Sequence, residues 1–130
     1  MTNNSATKAP RTVQFYIRDA KGFPIACVHV EPVGQDQEHL AVGFSVHNPI
    51  DRFDRKLGRD IATGRSKALA SKPRNVNSGS GPRAAFWMDA PIDSTRNPSL
   101  KLLVARQMCD DALDGFIDVP ARVLKALKHT

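Results

Sequence analysis

Leu40-Ala41-Val42-Gly43-Phe44-Ser45-Val46-His47-Asn48-Pro49-Ile50-Asp51-Arg52-Phe53 is the stretch where the chain changes its period. Leu40, Val42, Phe44 and Val46 alternate with Ala41, Gly43, Ser45 and His47, the period of two that gives a strand one buried face. From Asn48 onward the apolar residues fall instead at Ile50, Phe53, Leu57, Ile61 and Ala68. Those spacings form one stripe of a helix. A helix over Asn48–Ala70 has a coherent start. The Asn48 side chain can accept a free N–H, Pro49 lacks the donor that would be orphaned there, and Asp51 complements the positive helix end. The stripe is expected to pack across a sheet, with Arg52, Arg55, Lys56, Arg59, Ser66 and Lys67 on the opposite side. Gly58 and Gly64 each cost about 1 kcal/mol against alanine in a helix. They imply either a close approach of another backbone or a less regular helix.

Upstream of this switch, Val13, Phe15 and Ile17 share one face of a first strand. Asp19-Ala20-Lys21-Gly22 is turn chemistry, and Ile25–Val30 resumes an extended run. With Leu40–Val46 these make an antiparallel β-meander. Residues 1–11 are polar and read as a flexible arm. Residues 72–83 (KPRNVNSGSGPR) carry no apolar period and read as a mobile loop. Ala84–Met88 is a short strand. Leu100–Arg106 fits strand or helix, and a strand is preferred for its first half. Asp110–Phe116 is a turn or short helix. Asp118 and Pro120 mark the start of a short C-terminal helix carrying Ala121, Leu124 and Leu127. The expected class is therefore α+β, an antiparallel meander packed against a central basic helix, as a single domain over 12–130.

Charge is concentrated. The chain of 130 residues has a formal net charge of +6 and a pI near 9.8. Between Arg52 and Arg83 stand nine basic residues and only Asp54 and Asp60 against them, a net +7. The remainder reads as close to neutral. Six of the nine are arginines, whose planar fork grips phosphate oxygens in two places and stacks on bases. Phe86-Trp87 follows Arg83 closely, and alternation puts the two rings on opposite faces, so one is a candidate platform for a base. The candidate ligand-binding set is Arg55, Arg59, Arg65, Arg83, Phe86, Trp87 and Arg106. A solvated basic face with ion pairs along it is the plainer explanation of the same charges.

Other chemistry is sparse. There is no P-loop, GxSxG, HExxH or GxGxxG. No catalytic residue, metal ligand set or cofactor site is expected. His29 and His47 could approach across antiparallel strands, but a pair falls short of the four donors that structural zinc wants. No run nears the roughly 20 apolar residues of a membrane span, and MTNNSATKAP has no h-region, so a cytoplasmic protein is expected. Cys27 and Cys109 lack a CxxC pattern and are expected to be reduced and buried.

The block Asn48-Pro49-x-Asp51-x-Phe53-Asp54-Arg55-Lys56-x-Gly58-Arg59-x-Ile61-Ala62-x-x-Arg65, following the meander, resembles a group of small phage proteins. The group includes the Thoeris anti-defence sponges of the first described type. The resemblance covers residues 12–70. It departs at His47, where relatives often carry cysteine, and finds no counterpart for 72–98. It implies a homo-oligomer in the host cytoplasm that is not an enzyme and that traps a cyclic ADP-ribose-type signal. Within the matching half, Arg55, Arg59 and Arg65 fit the motif, as ligand or interface residues.

The function expected is thus the sequestration of a cyclic nucleotide or another phosphate-bearing small ligand. The alternatives are a basic module that binds DNA or RNA and a protein that inhibits a host defence complex by binding it. Absence of a helix-turn-helix pair and of RNP aromatics counts against nucleic acid.

Overall fold

The computed structural model describes residues 12–34, 39–47, 54–71, 83–89 and 100–128. The expected arm at 1–11, the Asn48-Pro49 helix start and most of the 72–83 loop lie outside them. The elements are β1 (Val13–Arg18), β2 (Pro24–Val33), β3 (His39–Val46), α1 (Arg55–Ala70), β4 (Ala85–Asp89), α2 (Leu100–Leu113) and α3 (Ala121–Lys128). The strands form one antiparallel sheet in the order β1-β2-β3-β4. The meander is present as expected, and β4 adds to its β3 edge. The class is α+β.

The β1–β2 turn closes on Asp19. Its Oδ1 accepts from the backbone N–H of Lys21 and of Phe23, at 2.9 and 3.0 Å. Gly22 takes φ +88°, a region open to glycine at no steric cost.

The sheet has two chemically different faces. Ile17, Val28, Val30, Leu40, Val42, Phe44, Phe86 and Met88 form a core with Val104, Ala105 and Met108 of α2 and Val123 and Leu127 of α3. The face under α1 carries Cys27, His29, Ala41, Gly43 and Ser45, all buried and all small or polar.

That second face turns α1 over relative to expectation. Ala62, Ser66 and Leu69 are its buried residues, while Leu57 is 56% exposed and Ile61 36% exposed. The apolar stripe faces away from the sheet, and Ser66, expected outside, is fully buried. The reason is Gly43. A Cβ there would lie 2.3 Å from the Ser66 nitrogen and 2.6 Å from the Ala62 carbonyl oxygen. Helix and strand backbones meet so closely that only small residues fit between them. The close approach expected at Gly58 and Gly64 occurs instead at this strand glycine. A Cβ on Gly64 would meet nothing within 4 Å, and one on Gly58 only ordinary contacts.

Two further expectations are corrected. Helix α1 begins at Arg55, so the expected run Asn48–Ala70 is not one continuous helix, because Asp54 has extended backbone and its Oδ1 accepts the Leu57 N–H at 3.0 Å. That is an N-cap. Leu100–Arg106 is helical throughout and continues to Leu113. Leu100, Leu103, Val104, Met108 and Ala112 pack as one helical stripe against the core. Asp110–Leu113 is the last turn of this helix. Gly115 at φ +82° then closes it, with Gly115 N–H donating to Ala112 O and Phe116 N–H to Asp111 O. This is the Schellman pattern of bonds. No described helix is long and apolar enough to cross a membrane.

Candidate anion-binding cleft

Strand β4 runs alongside β3 only part of the way. The last backbone bond between them runs from Phe44 N–H to Ala84 O, at 3.0 Å. Beyond it the β3 edge needs another partner, and Arg65 of α1 supplies one, its Nη1 donating to Phe44 O at 2.8 Å. The guanidinium is half-buried and has no carboxylate within ion-pair distance among the described residues. Arg83 stands across the gap left by the diverging strand. Its carbonyl accepts from Asp118 N–H at 2.8 Å, and its Nε lies 3.5 Å from Asp118 Oδ2.

Arg65 and Arg83 thereby line one cleft of about 640 Å³. Val46, Ala84, Val119 and Pro120 give it apolar walls, and Phe44 and Ile117, which also border it, are buried in the core. Volume and lining suit a small molecule, since ligand sites run about 300–1,000 Å³ and pair apolar walls with a few placed polar groups. An arginine with donors left over beside such walls suits an anion that carries a flat or apolar body.

The other candidate residues lie elsewhere. Arg55 is exposed on α1 with its guanidinium 5.7 Å from the Tyr16 ring centroid, and Arg18 sits 5.8 Å from the same ring. Arg59 is also exposed, close enough to Cys27 to favour its thiolate, although burial dominates and pushes that thiol pKa up. Arg106 is exposed on α2. Phe86 is 6% exposed, and its ring packs 6.5 Å from Phe44 in the core, so it offers no open face to a base. Trp87 is half-buried on the other face of β4. Arg65 and Arg83 alone of the seven line this cleft.

One arrangement was not visible in sequence. Between sheet and α1, Gln14 Nε2 donates to Thr63 Oγ1 at 2.8 Å and lies 2.9 Å from His29 Nδ1. Thr63 Oγ1 is 3.2 Å from the same nitrogen. His29 Nε2 is 3.0 Å from Glu31 Oε1, which Lys67 Nζ approaches at 3.6 Å. This is a hydroxyl–imidazole–carboxylate chain, but Thr63 lies in mid-helix, where neighbouring backbone N–H groups are bonded within the helix. The chain joins strand to helix. The approach of His29 and His47 that antiparallel strands could have allowed does not occur in the register, because His29 stands opposite Gly43, while the N–H of His47 donates to Ile25 O. Among the described residues no group of three or more His, Cys, Asp or Glu could hold a metal ion. Cys27 and Cys109 are unbonded, Cys27 buried and Cys109 half-buried.

Comparison with family models, with curated proteins and with solved structures gives no match.

Proposed function

We propose that this chain binds a small phosphate-bearing ligand of the cyclic nucleotide type in the Arg65–Arg83 cleft and holds it without turnover. The observation that carries this reading is the convergence of two arginines, from α1 and from the entry to β4, on one apolar-walled cleft. Arginine forks would hold phosphate, and Val46, Val119 and Pro120 would cover the body of the ligand. Such binding would serve phage counter-defence, as the resemblance over residues 12–70 suggests, by removing a cyclic ADP-ribose-type signal from the host cytoplasm. It also implies a homo-oligomer. Leu57 and Ile61, exposed on α1, are the apolar surface that a second copy would cover.

The test is calorimetric titration with cyclic ADP-ribose isomers, followed by heat denaturation and mass analysis of the released ligand. Saturable binding, intact ligand on release and at least about tenfold weaker binding by Arg83→Ala are expected, since a charge-assisted hydrogen bond contributes roughly 1.5–3 kcal/mol. Conversion of the ligand, or no binding of any isomer, overturns the reading. Binding to duplex DNA or RNA that falls steeply with salt would favour the nucleic-acid alternative, because each phosphate contact releases about one counterion.

A further inference from the structure

A second cleft, of about 740 Å³, lies at the opposite edge of the sheet, between the β1–β2 turn, the start of α2 and α3. Its lining includes Arg18, Lys21, Lys101, Arg122 and Lys125, with Asp19 as the one carboxylate among the described residues. None of these five cations belongs to the basic stretch at 52–83. They come from the part of the sequence whose charges nearly cancel, and folding gathers them.

Several observations separate this cluster from a solvated basic face. None of the five has a carboxylate within 4.0 Å among the described residues. Asp19 is engaged by the turn, its Oδ1 accepting two backbone N–H groups. Both arginines are tethered by one bond each, Arg18 Nη1 to Gly22 O at 3.0 Å and Arg122 Nη2 to His47 O. Their remaining donors stay available in a fixed position, which lowers the entropy lost on binding. Lys101 Nζ is held 5.6 Å over the Phe15 ring. Like charges collected in a concave, partly apolar cleft repel one another and focus a positive potential that an anion relieves.

We propose that this cleft is an anion site distinct from the Arg65–Arg83 cleft, and that it takes a small ligand with two linked phosphates on a flat or apolar body. Charge sets the phosphate number. A terminal phosphate carries about −1.5 to −2 at neutral pH and a linked inner phosphate adds about −1, so a single phosphate leaves the lining well short of neutral and a diphosphate comes much closer to it. Shape sets the body. Ala20, Ala126 and the half-buried Tyr16 supply apolar wall, which inorganic diphosphate leaves unused and a nucleoside diphosphate covers. A concave cleft with apolar walls favours such a molecule over a duplex, whose phosphates need an open ridge.

The probes are ADP and inorganic pyrophosphate, titrated calorimetrically at about 0.15 M salt, where surface charges are screened beyond roughly 8 Å. Lys101 and Lys125 are exposed, so Lys101→Gln/Lys125→Gln is expected to keep the wild-type circular dichroism and Tm. Lys21→Gln is the second variant should that pair perturb folding. Saturable one-to-one binding is expected, tighter for ADP than for pyrophosphate. It should weaken at least tenfold in the double variant and stay unchanged in Arg83→Ala. Three outcomes overturn the proposal: no saturable binding of either probe, loss in Arg83→Ala with retention in the lysine variants, or a short DNA duplex bound more tightly than ADP through the same lysines. Failure of the Arg65–Arg83 cleft to bind a cyclic nucleotide leaves this site untouched.

Discussion

Gly43 and Ser66 are the two residues on which sheet and helix close: a Cβ on Gly43 would fall 2.3 Å from the Ser66 backbone nitrogen, and Ser66 Oγ donates to Ala41 O at 2.7 Å. Backbone on one side and a buried helix turn on the other leave nothing flexible to yield. Gly43→Ala is therefore expected to lower unfolding stability by about 1–3 kcal/mol or more, the cost of overpacking. Gly64→Ala, with open space around it and a helical backbone, is expected to raise stability by about 0.5–1 kcal/mol. Urea unfolding of the pair gives opposite shifts in midpoint. A neutral Gly43→Ala would mean that α1 does not press on β3.

His29 is 4% exposed and meets Gln14, Thr63 and Glu31 together. Removing its ring strands partners on both strand and helix. His29→Ala is expected to cost about 1–3 kcal/mol, the penalty for unsatisfied buried polar groups. Gln14→Ala, at the exposed end of the chain of bonds, should stay within about 0.5 kcal/mol. Denaturant titration with an unchanged slope separates the two and shows that compactness is preserved.

Asp111 lies where α2 ends, and burial pushes its carboxyl pKa up; the Gln107 hydrogen bond lowers it, while Asp114 and Asp110 raise it further. A carboxyl with a raised folded-state pKa favours folding when protonated and opposes it when ionised. Stability from this group is complete below the unfolded pKa of about 3.9 and declines as pH rises through the folded value. Asp111→Asn keeps an acceptor for Gln107 and removes the charge. It is expected to raise Tm at pH 7, with a gain that shrinks as the pH approaches that of ordinary aspartate titration. A gain that grows on acidification would reverse the sign and refute the assignment.

The strands were legible because alternation is local: Val13, Phe15 and Ile17, or Leu40 to Val46, declare a face without help from distant residues. The packed side of α1 was not, because the stripe of Leu57 and Ile61 is the stronger local signal. What overrides it is a missing side chain on another element, Gly43. Leu100–Arg106 misleads for a related reason, since a short apolar run has no period until Met108 and Ala112 extend it. Arg65 and Arg83 stood out as charges, but their meeting depends on where β4 leaves β3. The five cations from Arg18 to Lys125 left no trace in a local charge count, because they stand far apart in the sequence and only the fold gathers them.

Arg65 does two jobs that a pair of substitutions can separate. One N–H holds Phe44 O beyond the start of β4, and the rest of the fork faces the cleft. Lysine can reach the carbonyl with one ammonium donor but cannot offer a planar fork as well. Arg65→Lys is therefore expected to keep stability within about 1 kcal/mol of wild type, the net worth of one ordinary hydrogen bond, and still to weaken cyclic nucleotide binding by about tenfold or more, as loss of a charge-assisted fork should. Arg65→Ala should lose both, because the carbonyl is then left without its partner. Thermal unfolding and calorimetric titration of the two variants read the jobs independently. If Arg65→Lys binds as the wild type does, this arginine braces the β3 edge only, and Arg83 alone would have to hold the phosphate.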